Sequence, residues 1–93
     1  MAEADPTRVK IAWQDPAMAQ IGKGGVSDSL VKEIVRLLKR HQYIKVRMLR
    51  SALGEDAKSE LIVSLCEKTG ARLVGIRGNT AVIFRHRASQ RAP

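Results

Sequence analysis

The sequence predicts an α/β (α+β) domain built as a two-layer sandwich, with helices packed against one β-sheet, and three patterns carry that prediction. Residues 28–41 repeat Leu30, Val31, Ile34, Val35, Leu37 and Leu38 at helical spacing. Residues 43–49 instead alternate Ile44, Val46 and Met48 with Lys45, Arg47 and Leu49, the period of a strand with one covered face. Two further strand-like runs, 72–77 and 80–85, flank Gly78-Asn79, a two-residue connection of the hairpin type. At 93 residues the chain has room for one modest core, and with aromatics at only 3% aliphatic side chains must build it.

Taken in order, residues 1–7 read as a disordered lead-in ending at Pro6, residues 8–87 as a single domain, and residues 88–93 as a flexible basic tail. Residues 8–14 fit either a short helix or a strand, and Asp15-Pro16 ends them. The apolar residues 17–21 form the first strand. Ser27 is then placed to cap the helix over 28–41, Asp28 suits the positive end of its dipole, and Lys39 and Arg40 suit the negative end. Residues 56–69 return to helical spacing, with Ala57, Leu61, Ile62, Leu65 and Cys66 inward and Gly70 just past the end.

Between the first strand and the helix stands Ile21-Gly22-Lys23-Gly24-Gly25-Val26-Ser27. Glycines let a backbone approach a ligand closely, and a helix start offers unpaired N–H groups, so this loop is suited to a phosphate. It completes neither a dinucleotide fingerprint nor a P-loop, which points to a nucleic-acid backbone before a nucleotide cofactor. The charge agrees: 17 Lys and Arg stand against 9 acids, a net +8. No acid lies between Glu33 and Glu55, and none follows Glu67. The candidate contacts are therefore Gly22, Lys23, Gly24, Gly25, Arg36, Lys39, Arg40, Lys45, Arg47, Arg50, Arg77, Arg85 and Arg87. The second helix, with four acids among residues 55–67, should point away from a polyanion. Trp13, Tyr43 and Phe84 are scattered, which favours contacts to phosphates over stacking of bases.

Other classes find little support. His41 and His86 have no nucleophile or carboxylate at a useful spacing, and the single Cys66 allows no intrachain disulfide or cysteine cluster. No catalytic set, metal site or small-molecule cofactor is expected. No apolar run is long enough to span a membrane and no leader is recognisable, so a cytoplasmic protein is expected, monomeric in the simplest case.

The loop over residues 21–27, the basic strand Ile44-Lys45-Val46-Arg47, and Thr69-Gly70-Ala71 followed by residues 78–85 together resemble the CRM domain. That family is typified by the small bacterial YhbY proteins and repeated in plant organellar splicing factors. The resemblance spans about residues 17–87. It implies a four-stranded mixed sheet similar to the C-terminal domain of bacterial translation initiation factor three. It also implies RNA binding, linked in bacteria to precursors of the large ribosomal subunit, without catalysis. Gly24 stands where Asn is common in the family, and Phe84 where Tyr is frequent. An architectural DNA-binding protein resembling the Alba chromatin proteins is the alternative, since its basic balance and topology are related.

Overall fold

The computed structural model describes residues 4–22, 24–49 and 58–85. In chain order these form α1 (Pro6–Gln14), β1 (Ala19–Ile21), α2 (Asp28–His41), β2 (Tyr43–Met48), α3 (Lys58–Thr69), β3 (Arg72–Arg77) and β4 (Thr80–Phe84). The strands lie in the order β1-β2-β4-β3, with β1 parallel to β2 and β4 antiparallel to both its neighbours. The expected four-stranded mixed sheet is present, and hairpin and crossovers account for its order.

Strand alternation decides what each face of the sheet buries. Ile44, Val46 and Met48 on β2 and Ala81 and Ile83 on β4 turn to the side of α2 and α3, where Ile34, Leu38, Ile62, Leu65 and Cys66 meet them. On the opposite side α1 lays Val9, Ala12 and Trp13 over Tyr43, Val74, Val82 and Phe84. The Tyr43 and Phe84 rings stack there at 5.1 Å.

The two-layer sandwich thus gains a partial third layer, α1, and residues 8–14 resolve as helix. The sequence carried a sign of this: Ala81-Val82-Ile83-Phe84 is a continuous apolar run, as a strand covered on both faces requires, and all four residues are buried. Pro6 and Thr7, expected in the lead-in, form the first turn of α1. Asp5 caps that turn, its carboxylate accepting from the Thr7 amide at 2.9 Å, while its own amide donates to the Tyr43 hydroxyl at 2.7 Å. Residues 50–57 and 86–93, including the expected start of the second helix and the tail, lie outside the described residues.

Two helix ends set the connections. α2 passes into β2 through Gln42 alone, a non-glycine residue at φ 67° and ψ −47°. Its amide donates to the Leu38 carbonyl and its carbonyl accepts from the Arg85 amide, so strain at this joint is held by the packing around it. α3 ends at Gly70, φ 75°, and the Ala71 amide reaches back to the Cys66 carbonyl at 3.0 Å. A Cβ at Gly70 would meet only the Arg85 side chain, at an ordinary 3.7 Å, so its cost would be conformational. Gly70→Ala should therefore lower the unfolding free energy in urea by about 1–2 kcal/mol without changing the folded-state spectrum. An unchanged midpoint would show that this left-handed turn is not required.

Candidate nucleic-acid interface

The Gly-rich segment folds as a tight turn at the carboxyl ends of β1 and β2. The Gly25 amide donates to the Gly22 carbonyl at 2.9 Å, and the Ser27 amide donates to the Gly25 carbonyl at 3.1 Å. Gly25 has φ 67°, where a side chain would be strained. Ser27 then caps α2, its Oγ accepting from the Leu30 amide at 3.2 Å and its carbonyl from the Val31 amide at 2.9 Å. The amides of Asp28 and Ser29 are left directed beyond the helix end. Gly24 stands open, with nothing within 4 Å of where its Cβ would be. The exposed Asp28 carboxylate shares this helix end and repels an anion there, so the open approach runs over Gly24.

The turn is fixed to the sheet by the Leu49 amide, which donates to the Ile21 carbonyl at 3.0 Å. The hairpin turn at Gly78-Asn79 arrives at the same end, since the Met48 amide donates to the Asn79 carbonyl at 2.7 Å. Cross-strand register then sets Gln20, Arg47, Thr80 and Arg77 in one row across all four strands. These residues alternate with the core positions, so the row lies on the sheet face that also carries α1. Arg47 and Arg77 are exposed and sit two strand spacings apart, about 10 Å.

The other candidates divide between places. Arg36, Lys39 and Arg40 are exposed on α2 and lie in the opposite layer from the Arg47–Arg77 row, so the structure does not bring the two sets together. Lys45 is half-buried, and its ammonium donates to the Trp13 carbonyl at 3.0 Å and the Asp15 carbonyl at 3.2 Å, which ties the end of α1 to the sheet. Arg85 lies at the far end of the sheet, beside Gly70 and Gln42. Lys23, Arg50 and Arg87 lie outside the described residues. Cys66 is buried in the core, and burial, with Glu67 beside it, pushes its thiol up to about 11, so it stays protonated at neutral pH. Among the described residues no three His, Cys, Asp or Glu side chains gather to hold a metal ion, and no helix is long and apolar enough to cross a membrane.

The model of one family, the CRS1 / YhbY (CRM) domain, matches this chain over residues 8–85. The chain belongs to the CRM domain family. A Bacillus subtilis relative named Probable RNA-binding protein YqeI is 35% identical over 71% of this chain and 67% of its own length. Probable RNA-binding protein MJ0652 from Methanocaldococcus jannaschii is 34% identical over 72% of this chain, which spans about half (49%) of that longer protein. The solution structure of SAV1595 from Staphylococcus aureus superposes on this CRM domain with a TM-score of 0.72 and 32% identity, over 87% of this chain and 82% of that one.

Two features of this CRM domain were hidden in its sequence. Lys45 meets backbone carbonyls, which no side-chain pattern marks. The Arg77 guanidinium lies over the Trp13 ring at 4.5 Å from its centroid, joining residues from opposite ends of the chain. Arg8 makes a similar pair with Tyr43 at 4.8 Å, and hydrogen-bonds the His41 carbonyl and the Gln42 side chain at the end of α2.

Proposed function

We propose that this CRM domain binds structured RNA mainly through phosphates, using the Gly22–Gly25 turn together with Lys23, Arg47 and Arg77, and that it catalyses no reaction on that RNA. The observation that carries this reading is the convergence of the open Gly24 turn and the Arg47–Arg77 row on one end of the sheet. A phosphate lying over Gly24 would meet no side chain in its path and could approach the backbone of the turn closely, and its neighbours along the strand would come within reach of the two guanidinium groups. The net charge of +8 supplies the long-range attraction. The names of the Bacillus and Methanocaldococcus relatives support RNA as the polyanion. The resemblance to the bacterial YhbY proteins favours precursor RNA of the large ribosomal subunit, in the cytoplasm, as the target.

The test is an affinity titration of the intact chain against a structured RNA and a DNA duplex of equal length, across a range of salt. RNA should compete out the DNA. The log–log dependence of RNA affinity on salt should slope by about −4 to −8, as expected for roughly five to nine neutralised phosphates. A flat slope would remove the phosphate contacts, and a preference for duplex DNA would favour the Alba-like alternative.

A further inference from the structure

Beside the Arg47–Thr80–Arg77 row, α1 and the edge strand β3 enclose an open recess of about 630 Å³. Its walls are Val9, Trp13 and Val74, and Lys10 and Arg77 stand at its rim. The volume falls within the range of small-ligand sites, roughly 300–1,000 Å³. Trp13 is held there from three directions. Lys45 binds its carbonyl, Arg77 lies over its ring, and the indole crosses Gly75 so closely that an added Cβ would touch its Cζ2 at 3.8 Å. A flat aromatic ring, a planar guanidinium and aliphatic walls are the surfaces on which nucleobases stack.

We infer that this recess receives one unpaired nucleobase of the bound RNA. The inference rests on the phosphate-binding reading above and extends it. Arg77 belongs to both surfaces: its register partner Thr80 joins it to Arg47 and the Gly-rich turn, while its guanidinium covers Trp13. A strand whose phosphates follow the row therefore passes the mouth of the recess, where a base freed from pairing can turn in. A fully paired stem has no such base to offer. The rim cations Lys10 and Arg77 favour a polyanion over an uncharged apolar occupant. The preferred RNA is then a helix interrupted by a bulge or loop, engaged at its backbone and at one extruded base.

Trp13 is the chain's only tryptophan, so its emission reports this recess directly. Three hairpins would be compared with the intact protein: a fully paired stem, the same stem with one bulged adenosine, and the same bulge made abasic. Affinity is read by anisotropy of end-labelled RNA, and Trp13 emission with unlabelled RNA. The bulged adenosine should bind about tenfold tighter than the other two, within the range that stacking one base provides, and it alone should quench Trp13. Trp13→Leu should abolish that preference while keeping the affinity for the paired stem, with thermal unfolding confirming that α1 stays docked. Equal affinities with unchanged Trp13 emission, while all three hairpins bind, would overturn the base site and leave the phosphate reading intact. Failure of every hairpin to bind would overturn both.

Discussion

Gly24→Asp should weaken RNA binding by about 1–3 kcal/mol, the range for losing a charge-assisted hydrogen bond, and should leave thermal unfolding unchanged. The structure separates the two effects cleanly. Gly24 is exposed, and its added Cβ would meet nothing within 4 Å, so the fold has no steric reason to resist the change. The adjacent Gly25 is different: its φ of 67° makes any side chain strained, so a loss of binding there would be ambiguous. At Gly24 the new carboxylate stands in the approach of the phosphate and adds to the repulsion already set up by Asp28. Lys23→Gln should lose less, because the main-chain donors and the helix dipole remain. Affinity and unfolding measured on the same preparations decide the matter. A folded Gly24→Asp protein that binds RNA as well as the parent would reduce the turn to a connection.

Leu38→Ala should have the largest effect on stability, about 2–5 kcal/mol, a large part of the whole for a domain of this size. Leu38 is fully buried between α2 and the sheet, and its carbonyl accepts the Gln42 amide that caps the helix. Truncation leaves a cavity beneath the last turn of α2, where Gln42 depends on tight packing to keep its unusual backbone angles. Urea denaturation at neutral pH would measure the loss. A shift below about 1 kcal/mol would show that the core closes over the gap and that the joint is less dependent on packing.

Most of the fold was legible because its elements obey single, local rules. Residues 28–41 have an unbroken helical period, residues 43–48 alternate, and Gly78-Asn79 marks the hairpin. The first helix was not legible in the same way, since residues 8–14 satisfy two periods at once. What decides for helix is Asp5 before it, Pro6 at its first position, and a second apolar face on β4 that needs cover. In the site, the Gly-rich turn and the exposure of Arg47 could be read from the sequence. The recess could not, because it forms only when α1 lies across β3. The scattered aromatics argued against base stacking, and the fold gathers two of them with arginines, Trp13 with Arg77 and Tyr43 with Arg8.

The single-residue joint at Gln42 has a bearing on how this domain can change length. α2, at 14 residues, is about 21 Å long, and β2, at six residues, about 20 Å, so chain leaving the Gly-rich turn along the helix returns along the strand to the same height. No slack exists between the two to absorb a mismatch. Inserting one helical turn into α2 would carry Gly24 about 5.4 Å past Arg47 unless β2 grew by one or two residues. Adding a single residue to β2 would send Arg47 to the core and Val46 or Met48 to solvent. Helix and strand therefore act as a matched pair of rulers, and insertions or deletions in one are tolerable only with a compensating change in the other.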